Sequence, residues 1–274
     1  MKTSVILITF NRAHLLKRSL ACYLLGAEKT GFKDFEIIVV DDDSTDDTGD
    51  LCYDWMSSLD IKYIKIRKPE GVGWRDCGVN LNLGIRAAKG EVILLTHPEV
   101  MPGNETLWRA TYATRDGLYV CAKPYYLTVD QQATIDTVPW NTEGVLAVRK
   151  LPDFYTYDQA AEFRGNPDYV HKNIERTGNW ESWVFGGLSR NTWKAIGGMR
   201  ETQSWGAVDI EFLARRNALG IANKTLMEKD TLCIHQNHDL PGVDILTPRI
   251  EQVWRDELDS MFRERQNVIC NNLW

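Results

Sequence analysis

The chain has no C-x-x-C pair, no Ser/Gly-rich linker, no internal repeat and no apolar run long enough to cross a bilayer. Each absence removes a class of protein. The six cysteines, Cys22, Cys52, Cys77, Cys121, Cys233 and Cys270, are scattered along 274 residues. A chain this long needs no disulfide staples, so they read as buried thiols of a reducing compartment, which points to the cytosol. The stretch SVILITF near the N-terminus is too short for a membrane span, and no small-residue cleavage site follows it, so it reads as a strand. No transmembrane segment is expected. An overall basic field is also absent: 32 Lys and Arg against 38 Asp and Glu give a net charge of −6. A protein that holds nucleic acid mainly through phosphates is disfavoured, and a nucleic-acid acceptor would require a local basic groove.

What is present is enough apolar residue, 43% of the chain, to bury one large core without a break into separate domains. The first hundred residues alternate between two periodicities. SVILITF, FEIIVVDDD, IKYIKI and EVILL are β-type runs. AHLLKRSLACYLLGA, DTGDLCYDWMSSL and NLNLGIRAAKG are helical, the last expected to be capped by Gly90. Fully apolar strands alternating with helices predict an α/β fold with a mainly parallel central sheet covered on both faces, whose ligands bind at the carboxyl ends of the strands. From about residue 104 to 180 the pattern weakens and aromatics accumulate. This predicts an irregular segment that is either a second hydrophobic cluster or a set of stacking platforms. Helical patterns return in NTWKAIGG and DIEFLARRNALG, and a charged amphipathic helix is expected near 248–270.

The residues after the strands carry the chemistry. VVDDDSTDDT places Asp41, Asp42 and Asp43 at the end of a buried run, where like charges repel unless something uses them. They form either a solvated turn with a good helix cap or a site accepting hydrogen bonds from a base or ribose. EVILL ends in His97-Pro98-Glu99, two potential metal ligands on either side of a rigid ring. In WGAVDIEF, Asp209 opens a helix whose N-terminal dipole favours its ionised form.

These blocks, in this order, resemble the family 2 glycosyltransferases of GT-A fold. The carriers are an opening strand ending in TFNR, then VVDDDSTDDT, then GVGWRDCGVNLNLGIRAAKGEVILL. GGLSRNTWKAIGGMRE with WGAVDIEFLARRNALG follows, and CIHQNHDLPG closes the series, so that residues 4–102 and 186–242 are covered. The resemblance implies a single domain. Residues 1–102 would bind the nucleotide-sugar, residues 103–246 the acceptor, and residues 247–274 would form a C-terminal helical segment. Donor contacts fall on Thr9, Phe10, Asn11, Arg12, Asp41, Asp42, Asp43, Arg75, Asn82, His97 and Gly187. Asp42 would read the base, Asp41 or Asp43 the base or ribose, and Arg75 or Lys68 would screen the diphosphate. Gly186 and Gly187 would let the backbone approach the donor sugar.

His97-Pro98-Glu99 stands where the family carries D-x-D, so Glu99, His97 and His235 are the expected ligands of a divalent cation. Imidazole suits Mn²⁺ better than Mg²⁺. The alternative is that His97 donates a hydrogen bond or a positive charge and no metal is needed. Asp209 takes the place of the catalytic base, while the glutamate that precedes it in the family is Val208 here. Trp180, Trp183, Trp205, Gly206 and Glu211 are the expected acceptor contacts. The implied activity is inverting transfer from a nucleotide-diphosphate donor, a UDP-sugar by resemblance, to a hydroxyl of a glycan or glycoconjugate. Three rivals stand beside it. A nucleotidyltransferase is opposed by the lack of glycine in TFNRAHLL; an inactive nucleotide-sugar-binding relative and a transferase acting on modified nucleic acid remain. Homo-oligomer formation is left open.

Overall fold

A computed structural model describes residues 2–68, 77–127, 129–141, 184–201, 208–226 and 231–237. Strand β1 (Thr3–Thr9) pairs in parallel with β2 (Phe35–Asp41) from Thr3↔Phe35 to Thr9↔Asp41. The two strands therefore end flush, and the residues after each emerge at one edge of the sheet. β3 (Ile61–Lys65) extends the sheet beyond β2, and β4 (Val92–Thr96) pairs in parallel on the other side of β1. Alternate residues of β1 face opposite ways, as a pleated strand requires. Val5 and Leu7 join the core under helix α1 (Ala13–Thr30), which also holds Leu16, Leu20 and Tyr23. Ile6 joins a second core with Leu81 and Ile85 of α3 (Cys77–Ala87). α2 (Thr48–Trp55) links β2 to β3.

The sheet is mainly parallel, as expected, with a single reversed strand set into it. Among the described residues it has seven strands in the order β3-β2-β1-β4-β8-β6-β9. β8 (Phe185–Ser189) runs antiparallel to both β4 and β6 (Leu118–Ala122), and β9 (Ala222–Leu226) lies parallel to β6. The start of the stretch read as irregular is in fact regular. After β5 (Val100–Pro102) it comprises α4 (Thr106–Ala113), β6, β7 (Pro124–Tyr126) and α5 (Val129–Asp136). LYVCA is fully buried on both faces, so it shows no alternation and gives no periodic signal. Helices α6 (Arg190–Ile196) and α7 (Val208–Ala218) pack on the second core through Trp193 and Phe212, whose rings stack at 5.1 Å. The expected helix at 248–270 lies outside the described residues.

Two glycine readings are corrected. Gly186 and Gly187 are strand residues paired with Leu95 and Leu94 of β4. A Cβ on Gly187 would stand 2.1 Å from the Ile93 carbonyl oxygen, so the glycine admits a neighbouring strand and not a donor sugar. Gly90 does not cap α3, which ends at Ala87. It lies where a Cβ would meet the Ser4 amide nitrogen at 2.5 Å, which seats the start of β4 against β1.

A smaller sheet, in the order β5-β10-β7, is built on β10 (Cys233–His235). β10 pairs antiparallel with β5 so that His235 faces Val100. A residue from the end of the described chain is thereby delivered beside Glu99.

Candidate active site

Asp41, fully buried at the end of β2, is a bracket for the loop that follows. Its Oδ1 accepts from the Ser44 amide at 2.9 Å and its Oδ2 from the Tyr63 hydroxyl at 2.5 Å. Burial, followed by this bond to an anion, pushes the Tyr63 hydroxyl well above its ordinary value. Asn11 fastens the same loop to the end of β1. Its amide donates to Ser44 Oγ at 2.8 Å, and its Oδ1 accepts from the Thr45 amide at 2.7 Å. Asn11 and Asp43 both hold positive φ, 50° and 67°, a region that Asn and Asp visit more readily than other non-glycine residues.

Asp42 faces a cation. Lys68 Nζ stands 3.2 Å from Asp42 Oδ2 and 3.4 Å from the centroid of the Phe10 ring. Asp43 accepts from the Lys68 amide at 3.1 Å. Of the three aspartates, then, Asp41 and Asp43 shape the loop and Asp42 sits in a Phe10–Lys68 corner.

Glu99 is the electrostatic centre on the other side of the edge. Arg12 Nη1 lies 2.9 Å from its Oε2, and His235 Nε2 lies 3.8 Å from its Oε1. Burial alone would raise its pKa; His97, Arg12 and His235 more than offset this and hold it at about 2. The carboxylate is therefore ionised at neutral pH. His235 is oriented from behind: its Nδ1 lies 2.9 Å from the Gln236 carbonyl oxygen, which can only accept, so Nδ1 carries a proton and Nε2 is the ring nitrogen turned towards Glu99. Gln236 is fully buried. Its amide donates to the Glu99 carbonyl oxygen, its Nε2 to the Leu15 carbonyl oxygen, and its Oε1 accepts from Arg18.

A metal was expected at His97, Glu99 and His235. Among the described residues no three His, Cys, Asp or Glu side chains form a complete cation site. The gap of 3.8 Å between Glu99 Oε1 and His235 Nε2 is too long for a hydrogen bond, and it suits two ligands of one ion. One carboxylate and one imidazole fit a Mn²⁺-type ion that takes the rest of its shell from phosphate oxygens and water.

Other expected residues serve the framework. Asn82, fully buried, donates to the Met199 carbonyl oxygen and to Glu201, and accepts from the Met199 amide, so its bonds tie α3 to residues 199–201 and not to a donor. Glu211, read as an acceptor contact, forms two bonds with Arg215, at 2.8 and 2.9 Å. Arg215 in turn donates to the Ile196 and Gly198 carbonyl oxygens, so the pair locks the turn after α6. Asp209 is the second residue of α7. Arg75, Trp180, Trp183, Trp205 and Gly206 lie outside the described residues. Sequence reasoning missed Tyr63, Arg18 and Gln236. None of them carries a motif, but the E-x-x-x-R spacing of Glu211 and Arg215 was a readable sign of an intrahelical pair.

A Rossmann-like parallel half with carboxylates at its strand ends, continued by an antiparallel strand, is the GT-A arrangement. Residues 4–98 match the model for Glycosyl transferase family 2. The matched residues run from β1 to just past the end of β4. Among curated relatives, it is 28% identical to the chondroitin synthase of Escherichia coli over 64% of its own length, and 28% identical to the hyaluronan synthase of Pasteurella multocida over 90%. It spans a quarter of the length of each. Among solved structures, S. aureus TarS 1–349 in complex with UDP-GlcNAc superposes with a TM-score of 0.59 at 18% identity, over 89% of this chain and 61% of that one. The mannosyltransferase PcManGT of Pyrobaculum calidifontis, in complex with GDP-Man and Mn²⁺, gives 0.53 at 19% identity, over 93% and 59%. Among the described residues no helix is long and apolar enough to cross a membrane.

Proposed function

We propose that this chain transfers a sugar from a nucleotide-diphosphate donor of the UDP-sugar type to a hydroxyl of a glycan acceptor, with inversion at the anomeric carbon. The observation that carries the reading is the pairing of two unlike sites on one sheet edge. The Asp42–Lys68–Phe10 corner is suited to a base, and the Glu99 centre, ringed by Arg12, His97 and His235, is suited to a diphosphate. Relatives named for chondroitin and hyaluronan synthesis support a glycan acceptor, and the neighbour in complex with UDP-GlcNAc supports a uridine donor.

Cleavage of the bond between an anomeric carbon and a diphosphate leaves negative charge on the departing oxygens, which must be stabilised as it develops. A divalent cation, when bound, supplies that stabilisation; Glu99 and His235 would hold it, with His97 beside them. Arg12 keeps Glu99 anionic and in place. Asp209, the second residue of α7, takes the proton of the attacking hydroxyl.

The test is UDP release from a panel of UDP-sugars, with glycan oligosaccharides as acceptors. Acceptor-dependent release that disappears in Asp209→Asn supports the reading. Nucleotide binding with no turnover by any donor and acceptor pair would favour an inactive binding relative.

A further inference from the structure

Gln236 lies one residue beyond β10, is fully buried, and has a partner at each polar group of its backbone and side chain. These bonds close a circuit of contacts around Glu99. The Gln236 amide donates to the Glu99 carbonyl oxygen at 2.9 Å, and Gln236 Nε2 donates to the Leu15 carbonyl oxygen at 3.0 Å. The Leu15 amide donates to the Arg12 carbonyl oxygen at 3.1 Å, and Arg12 Nη1 returns to the Glu99 carboxylate at 2.9 Å. Glu99 is thus held at its backbone through Gln236 and at its side chain through Arg12, with the first turn of α1 between them. His235 is attached to the same circuit. Its Nδ1 lies 2.9 Å from the Gln236 carbonyl oxygen, and its Nε2 faces Glu99 Oε1 at 3.8 Å.

Arg18 locks the circuit from outside. Its Nη1 donates to Gln236 Oε1 at 2.9 Å, and its Nη2 to Asp136 Oδ1 of α5 at 2.6 Å. Gln132, one turn earlier on α5, donates to the same Asp136 oxygen at 2.9 Å and accepts from the Asn237 amide at 2.9 Å. The Arg18 side chain keeps 13% of its exposure and Asp136 keeps 50%. Hiding a guanidinium and a primary amide costs more than packing apolar residues of like volume, which would join β10 to α1 equally well. The polar set is therefore weak support for stability alone. What it adds is direction, because each hydrogen bond fixes an angle as well as a distance.

We propose that Gln236 is a positioning residue for the donor-site cation: with Arg18 holding its side chain, it sets the separation and the facing of Glu99 and His235. The proposal rests on the reading of these two side chains as the ones that hold the cation. Ligand bonds of about 2.1 Å place two ligands of one ion roughly 3–4 Å apart. The 3.8 Å between Glu99 Oε1 and His235 Nε2 lies inside that range. An imidazole whose other nitrogen is bonded to a fixed acceptor cannot turn away from the ion, and loss of such an orienting partner weakens metal binding by about 10–100-fold.

The experiment is Mn²⁺ titration of the full chain at a fixed excess of UDP, with free Mn²⁺ read from its electron paramagnetic resonance signal. Urea unfolding in EDTA, without nucleotide, is measured on the same preparations. Gln236→Met keeps the length of the side chain and removes both of its bonds, and it should weaken Mn²⁺ binding about tenfold or more. Arg18→Lys keeps a cationic donor and should retain most of the wild-type affinity. Because Gln236→Met leaves Arg18 short of one acceptor in a buried place, the double variant Arg18→Met/Gln236→Met is measured beside it. Removing donor and acceptor together should restore most of the stability, with the half-exposed Asp136 bonded to water, while Mn²⁺ binding stays weak. Lower stability with unchanged Mn²⁺ affinity in Gln236→Met overturns the proposal in favour of a framework role, and so does recovery of affinity together with stability in the double variant. Failure of wild type to bind Mn²⁺ in the presence of UDP would remove the cation reading, and the proposal with it.

Discussion

Arg12 closes one side of the Glu99 carboxylate, with its Nη1 2.9 Å from Oε2, while the other oxygen faces His235 at 3.8 Å. One residue follows β1 and the other follows β4, two strands that are neighbours in the sheet. The contact is thus produced by strand order. It leaves a buried carboxylate with one oxygen neutralised by the protein and one turned to the site.

The acid stability of the chain should carry the signature of this carboxylate. Its pKa falls from 4.5 to about 2 on folding: burial opposes the shift, and His97, Arg12 and His235 outweigh it. A depressed folded value means the stabilisation is complete above the unfolded value and is lost as pH falls from about 4.5 towards about 2. In EDTA and without nucleotide, Glu99→Gln should flatten the fall of unfolding free energy across that window and lower stability at neutral pH by about 2–4 kcal/mol. Matching slopes in the two proteins, followed by urea unfolding at several pH values, would sink this assignment.

Tyr63→Phe deletes one of the two donors that hold Asp41. The expected cost is about 1–3 kcal/mol, the penalty of a buried acceptor left partly satisfied. Because Asp41 serves the loop, nucleotide affinity should fall only as far as the loop loosens, and the order of preference among nucleotides should stay as in wild type. Chemical unfolding and titration on the same preparations check both parts.

Gly187→Ala and Gly117→Ala separate steric need from backbone preference. An alanine Cβ at Gly187 has no room beside the Ile93 carbonyl oxygen, so that variant should be insoluble or molten. Gly117 has φ +73° with open space around it, so its alanine variant should fold and lose about 1 kcal/mol. A soluble Gly187→Ala protein with weakened donor binding and normal thermal stability would reinstate the donor role that the sheet pairing removes.

Asp209→Asn should lower transfer by about two to four orders of magnitude while leaving UDP affinity unchanged, because a general base acts on the acceptor hydroxyl and not on the nucleotide. A loss of UDP affinity equal to the loss of rate would assign Asp209 to donor binding instead.

Strands β1, β2 and β4 were legible because TSVILIT, FEIIVVD and VILLT are buried on both faces and end abruptly in polar residues. Asp41 and Asp42, and His97 and Glu99, were singled out because they stand at the ends of two such runs, β2 and β4, which flank β1 in the sheet. β8 was not, since FGGLS reads as a flexible loop until the close approach of β4 is known. Nor was the division of labour within VVDDDSTDDT: it depends on Tyr63 and Lys68, which reach the aspartates only through the pairing of β2 with β3. The assignment of Glu211 to an acceptor followed its place in a motif, where its spacing from Arg215 already indicated a partner on its own helix.

The central claim is that Glu99 anchors the donor diphosphate. Calorimetric titration of UDP into wild type and Glu99→Ala, each with Mn²⁺ and with EDTA, tests it most directly. The account predicts binding to wild type with Mn²⁺ and loss of most of that affinity in EDTA and in the variant. Equal affinity under all four conditions would contradict it.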